Sequence, residues 1–225
     1  MKKLLLGAAL CALGSPVYAG SLTYDSYSFT GIGSIHITSP NDITGGAGPI
    51  TLYENGQVVV QDAWCLDVNN FLAGSATVGT LPFTLTNADS GLPGVPTNLS
   101  AAQLGIISWL VDLGDHTSDP TLQGAFQVAI WSEEYGNAFT YDPISGAFTN
   151  DVLADITAAT TDFNTQGDAP LSLTFLVPGP GVSSQTLVFG SAIPEPSTWA
   201  MLISGFTLMG WFGWRKRNDV ARALV

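Results

Sequence analysis

Between residue 4 and residue 214 the chain has no lysine and no arginine. All six cations lie at its ends: Lys2 and Lys3 at the N-terminus, and Arg215, Lys216, Arg217 and Arg222 at the C-terminus. Binding a phosphate backbone requires clustered cations, so nucleic acid is excluded as a partner. Lysine-based catalysis and arginine clamps on phosphate are excluded with it. Histidine is scarce, at two residues, and so is cysteine, at two. No Gly-x-Ser-x-Gly stands at a strand–helix turn, so a hydrolase is not expected, and any acyl chemistry is expected to be single-turnover rather than enzymatic. The acids Asp112, Asp115 and Asp119, near His116, lack EF-hand spacing and read as a solvated face. No metal and no cofactor is expected. What the chain does have is acid. Of its 18 Asp and Glu, 16 lie between Asp25 and Asp168, and the net charge is −12. With 46% hydrophobic residues over 225 positions, the composition fits one domain with a core rather than a disordered chain.

The terminal cations belong to two address segments. Lys2-Lys3 followed by the apolar run 4–13, and then by Ser15, Pro16 and Val17-Tyr18-Ala19, reads as a signal peptide (1–19) cleaved after Ala19. Cys11 falls inside that peptide and leaves with it. At the other end, Pro194-Glu195-Pro196 precedes 18 uncharged residues from Ser197 to Trp214, and Arg215-Lys216-Arg217 follows. The length predicts a transmembrane helix over 198–214, near the lower limit for crossing a hydrocarbon core. Trp199, Trp211 and Trp214 suit the interfaces, and the basic cluster is the topology signal that places residues 219–225 in the cytoplasm. Pro-Glu-Pro, a short span and a basic cluster, in that order, resemble the PEP-CTERM sorting signal over 193–218. The resemblance implies a Gram-negative bacterium and processing by an exosortase-type enzyme. It also implies a transient inner-membrane anchor, followed by release to the cell surface or the extracellular matrix.

Residues 20–192 remain as one ectodomain, and they read as α+β. Leu22–Tyr24, Tyr27–Thr30 and Ile35–Thr38 are strand-like, being β-branched and aromatic between Gly and Ser breaks. Ile50–Tyr53 and Gln57–Gln61 flank Glu54-Asn55-Gly56, a strong hairpin signal. Ala63–Val68 and Thr77–Leu85 are further strand candidates, the second interrupted by Pro82, and Asn87–Asn98 is a loop. About three helices follow. Ser100 with Gln103 forms a capping box for the first, Asp119-Pro120 starts the second, and the third begins near Asn150. Alternation at Leu171–Val177 and again at Leu187 and Phe189, across a Pro-Gly loop, predicts a closing hairpin. Tyr135, Phe139 and Tyr141 are aromatic candidates for stacking on sugars or for ordinary packing.

Two residues stand out. Cys65 is the one cysteine outside the signal segment, and a lone thiol in an exported protein implies intermolecular pairing, inert burial or reactive chemistry. Gln127 lies in a helix that is apolar almost all round, so its amide must find partners. Trp64-Cys65-Leu66-Asp67, then Ile107-Ser108-Trp109-Leu110, then Phe126-Gln127-Val128-Ala129-Ile130-Trp131 resemble the thioester domain of bacterial surface adhesins. The departure from that pattern is Phe126, where the family carries Thr. The resemblance implies condensation of the Cys65 thiol with the Gln127 carboxamide, releasing ammonia. The resulting acyl group would be poised for an amine or hydroxyl on a surface or matrix target. Trp64, Phe126 and Trp131 would keep such a bond dry. A lysine-free ectodomain also cannot acylate itself through a lysine. The reading from a different class is a structural, polysaccharide-associated matrix protein with no crosslink, in which a buried Cys65 packs beside a hydrogen-bonded Gln127.

Overall fold

Short strands fill the first part of the chain in the computed structural model, which describes residues 20–70, 72, 81–86, 91–95, 98–179 and 181–192. They are β1 (Gly20–Tyr24), β2 (Ser26–Phe29), β3 (Ile32–Ser39), β4 (Ile43–Ala47), β5 (Ile50–Glu54), β6 (Gln57–Cys65) and β7 (Leu81–Thr86). Three helices follow, α1 (Ala101–Asp115), α2 (Pro120–Tyr135) and α3 (Gly146–Gln166), with β8 (Thr140–Asp142) between the last two. The strands β9 (Leu171–Pro178) and β10 (Leu187–Ala192) close the fold. The expected α+β order of strands, helices and strands is the observed one.

The Asn55-Gly56 turn joins β5 to β6 with φ of 52° and 74°, and Glu54 faces Gln57 across it. Two positive φ values are what a tight hairpin turn demands, and Asn-Gly meets that demand at least cost. The separate strands expected on either side of Asp62 are one strand, β6. Asp62 sits in it at φ 51°, and the register against β5 shifts in the same stretch. The strand also stops at Cys65 rather than Val68. Beyond it the Asp67 carboxylate accepts from the Asn69 N–H at 2.7 Å and the Asn70 Nδ2–H at 2.6 Å, which turns the chain out of the sheet. The α3 helix begins at Gly146, ahead of the expected Asn150, because Ser145 accepts from the Phe148 N–H at 3.2 Å and so acts as its cap.

β4 and β8 were not legible from propensity: β4 reads Ile-Thr-Gly-Gly-Ala, and β8 is three residues long. Paired to either side of β3, they form a small sheet of order β4-β3-β8. Gly46 leaves room there for the Phe29 ring, which would lie within 2.8 Å of a Cβ at that position and would have to shift.

The large sheet has the order β1-β7-β9-β10-β6-β5-β2. The last two strands therefore sit in its middle, wedged between β7 and β6. Pro82 stands near the start of β7 opposite Thr23 of β1, and the pairing to β9 starts one residue later, at Phe83. α1 packs on α2, α3 and β9, and α2 lies against β3, β4 and β6. Between them the core holds Trp64, Phe83, Ile107, Leu110, Ile130, Phe148 and Leu176, each essentially inaccessible to water. No helix among the described residues is long and apolar enough to cross a membrane. The expected membrane helix over 198–214 lies outside the described residues, as does the 1–19 segment.

Candidate functional site

β6 delivers Cys65 at its last position, paired with Leu187 of the central strand β10. α2 delivers Gln127 from its middle. Its N-terminus is fixed by Asp119, whose side chain accepts from the Thr121 N–H at 2.8 Å, with Pro120 in the first turn. The two predicted residues meet. The Cys65 N–H donates to Gln127 Oε1 at 3.0 Å, and Gln127 Nε2 donates to the Cys65 carbonyl at 2.8 Å. Gln127 is fully buried and Cys65 is 5% exposed. An amide that hydrophobic burial would otherwise penalise is thus satisfied by the backbone of the residue whose thiol it accompanies.

The same face of α2 holds the rest of the segment after β6. Counting from Gln127, Trp131, Glu134 and Tyr135 follow at helical spacing, so all four project one way. The Tyr135 hydroxyl donates to the Gly94 carbonyl at 2.7 Å and accepts from the Val68 N–H at a longer 3.4 Å. Asp67 is fully buried and Glu134 is 3% exposed, and neither Glu134 carboxyl oxygen has a hydrogen-bond partner. Burial pushes the Glu134 pKa well above the carboxylate range, and the Asp67 charge adds to the rise. Glu134 was missed at the sequence level. The signal was available, since it lies seven residues after Gln127 on one helical face.

The thiol itself is turned to a second glutamine. Cys65 Sγ donates to Gln185 Oε1 at 2.9 Å. Gln185 is half-buried in the approach to β10, where Leu66 N–H donates to the Thr186 carbonyl at 3.0 Å and pins the two segments together. Nothing in the local sequence marks Gln185, because its closeness to Cys65 exists only once β10 is inserted beside β6. Burial raises the Cys65 pKa strongly, with Asp67 and Glu134 as smaller like-signed causes, so the sulfur is held as a neutral thiol.

A cavity of about 290 Å³ opens over Cys65. Tyr27 and Phe29 of β2, Ile43 of β4, Trp131 of α2 and Gln185 form much of its wall, and no charged side chain among the described residues lines it. Of the aromatic residues expected to keep this site dry, Trp131 does line it. Trp64 instead reaches α1, with its Nε1–H on Asp115 Oδ1 at 2.9 Å and its ring against Gly114. The aromatic residues offered for sugar stacking pack inward. Tyr135 and Phe139 are each 8% exposed, and Phe139 lies 6.0 Å from Trp131 and 5.8 Å from Tyr141. Asp115 and Asp119 are engaged individually, as the Trp64 acceptor and the α2 cap.

Ala19, Pro194, Glu195, Pro196, Arg215, Lys216 and Arg217 lie outside the described residues. No curated protein matches the chain. One similar solved structure is the N-terminal thioester domain of a surface protein from Clostridium perfringens, in a cysteine-to-alanine mutant. It shows 11% identity and a TM-score of 0.48, over 75% of this chain and 100% of that one. Another is the N-terminal thioester domain of a protein F2 like fibronectin-binding protein from Streptococcus pneumoniae. It shows 15% identity and a TM-score of 0.38, over 80% of this chain and 100% of that one. Residues 192–217 match the family described as the PEP-CTERM protein-sorting motif, so the chain carries the C-terminal sorting signal of an exported, exosortase-processed protein.

Proposed function

We propose that this exported protein attaches covalently to a partner through an internal thioester between Cys65 and Gln127. The observation that carries the reading is the pair itself. A buried carboxamide on α2 is held against the residue bearing the exported domain's one cysteine, by two hydrogen bonds of 3.0 and 2.8 Å. Formation would join Cys65 Sγ to Gln127 Cδ, the amide nitrogen leaving as ammonia with the thiol proton. The Cys65 N–H already sits on the carbonyl oxygen. It would carry the negative charge that develops there in the tetrahedral intermediate, both in formation and in later attack. A partner nucleophile would then add to Cδ, its proton passing to the departing sulfur, and leave an amide or ester with Cys65 as a free thiol. Burial would also protect the bond, because Gln127 is fully buried and Cys65 nearly so, which keeps bulk water from the acyl carbon. The reaction is a single turnover, so the protein is not an enzyme in this reading.

A second reading has its own observation. Both polar atoms of Gln127 are satisfied by the Cys65 peptide, which is what a structural glutamine ending a strand would do. In that case the protein is a matrix or surface component without a crosslink. Intact mass of the full chain, as isolated and after methylamine, separates the two. The thioester predicts a deficit of one ammonia that is lost on methylamine addition and absent from Cys65→Ala and Gln127→Ala. Full mass with a titratable Cys65 thiol in the unsubstituted chain supports the structural reading.

A further inference from the structure

The chain passes from the large sheet to the small one along two neighbouring segments. β2 runs on into β3, and β4 into β5. The β2–β5 pairing that ends at Phe29 and Ile50 is therefore followed, across a corner, by the β3–β4 pairing that begins at Ile32 and Ala47. Within that corner the Thr30 N–H donates to the Pro49 carbonyl at 3.1 Å. Gly31 and Gly48 lie against each other there, with φ of 121° and 150°. A Cβ on Gly31 would run into the Ala47 carbonyl, and one on Gly48 into the Thr30 carbonyl, so only glycine serves at either position. Beyond the corner the small sheet walls the Cys65 cavity, which Ile37, Ile43 and Gly46 line together with Cys65 and Trp131. Its pairing to β8 is short. That strand has three residues, and its ladder to β3 shifts register between Ile37 and Ser39.

On the outer face His36 ties three pieces together. It alternates with the buried Ile35 and Ile37, and it lies opposite Asp142 of β8 and Thr44 of β4. Its Nδ1 lies 2.8 Å from Asp142 Oδ2, and its Nε2 lies 2.7 Å from Asp42 Oδ1 in the β3–β4 turn. An ionised carboxylate only accepts, and a neutral imidazole carries one N–H, so both bonds are made only by the imidazolium. Asp42 and Asp142 are the charged groups that act on His36, and Thr44, opposite it on β4, does not titrate. Loss of the proton breaks one bond and leaves two carboxylates with no positive charge between them. We propose that the small sheet is a flap over the Cys65 cavity, hinged at Gly31 and Gly48 and latched to β8 by the protonated His36. Rotation at the two glycines absorbs the motion. Opening uncovers Ile35 and Ile37, so the open state is minor, and release of the latch as pH rises enlarges it. With the flap closed, the cavity of about 290 Å³ takes a group the size of a side chain. Resting on the thioester reading, the open flap is what lets a nucleophile carried on a polymer chain reach the acyl carbon.

Hydrogen exchange of the full chain tests the latch, read by mass over residues 32–47 and 57–65 and corrected for the intrinsic rate at each pH. Between pH 5 and pH 8 the flap is expected to lose about threefold more protection than 57–65, the scale of an exposed ion pair. His36→Gln, on the exposed face, should remove that difference, and Asp142→Asn should reduce it. A flap that tracks 57–65 at both pH values, or an unchanged difference in His36→Gln, overturns the proposal. A lock tests the gate. The Thr38 and Thr140 hydroxyls lie 2.7 Å apart across β3 and β8, close enough for cysteines placed there to form a disulfide. In oxidised Thr38→Cys/Thr140→Cys, addition of acetyl-Gly-Lys-Gly amide to the thioester should fall about tenfold or more, while methylamine addition stays within about twofold. A phosphine that reduces the new disulfide should restore the rate of the peptide. Equal peptide addition in the oxidised and reduced forms overturns the gate and leaves the thioester standing. A missing ammonia deficit in the unsubstituted chain removes the thioester, and the exchange measurement then decides the flap by itself.

Discussion

The backbone of Gly94 passes directly over the buried carboxylate of Asp67, with φ of 81°, and a Cβ there would overlap the carboxyl atoms. Its carbonyl accepts from both Tyr135 Oη and Asn69 Nδ2. Gly94→Ala therefore combines a left-handed backbone with a steric clash against a group that cannot retreat, and it is expected to destabilise by about 2 kcal/mol or more in urea unfolding. An unchanged midpoint would show that the loop yields. At this scale Cys65 and Gln127 were legible. One was the exported domain's lone cysteine, and the other a polar side chain in an otherwise apolar helix, both rare enough to need an explanation. Gln185 was not legible, because a polar residue in a loop is the commonest arrangement there is and only its neighbour makes it notable.

Elements were legible where local chemistry settles them. The capping box is formed as read, with the Gln103 N–H on Ser100 Oγ at 3.2 Å and the Ser100 N–H on Gln103 Oε1 at 3.0 Å. Ser100→Ala should cost about 1 kcal/mol, measured as a shift in the denaturation midpoint at unchanged slope. Retention of full stability would mean that packing of α1, rather than its cap, fixes the helix start. Strands were harder. β4 carries two adjacent glycines and is a strand because β3 supplies its ladder and the Phe29 ring occupies the space a side chain would take. β8 is a strand because it meets the other edge of β3, where His36 faces Asp142. Such pairings are tertiary facts, and propensity carries little information about them.

For the whole molecule the acid excess gives stability a direction with pH. Glu134 is raised by burial and by Asp67, and Asp155 is raised to about 6 by burial and by Asp151. Asp115 is raised to about 6, again by burial first, with Asp62 and Asp112 adding. Each binds its proton more tightly folded than unfolded, so the stability it contributes is full below the ordinary carboxylate pKa and is lost as pH rises through the folded value. His36, held between Asp42 and Asp142, and His116, bonded to the Asp112 carbonyl, are raised as well. Their contribution is present below the ordinary pKa of 6.5 and is lost as pH climbs past it. Asp25 alone among these is lowered, chiefly by the Asn55 N–H, and it acts only in stronger acid. The thermal midpoint is therefore expected to fall by about 5 °C or more between pH 5 and pH 8. Glu134→Gln, which mimics the protonated acid, should flatten that fall and raise the midpoint at pH 8. A midpoint that rises with pH would contradict the assignment.

The sequence by itself determined the C-terminal sorting motif, the α+β order, the starts of α1 and α2, and the two residues, Cys65 and Gln127, that meet across the fold. Each of these rests on local composition, on spacing along one element, or on residues unusual for their surroundings. Only the tertiary structure decided that β9 and β10 enter the middle of the large sheet. That insertion carries Gln185 to the Cys65 sulfur, and α2 packs beside it to bring Trp131 into the same cavity wall. The reason is physical: backbone hydrogen bonding between strands is indifferent to sequence separation. Which side chains share a cavity is therefore settled by pairing and packing over more than a hundred positions along the chain, and no local pattern records it.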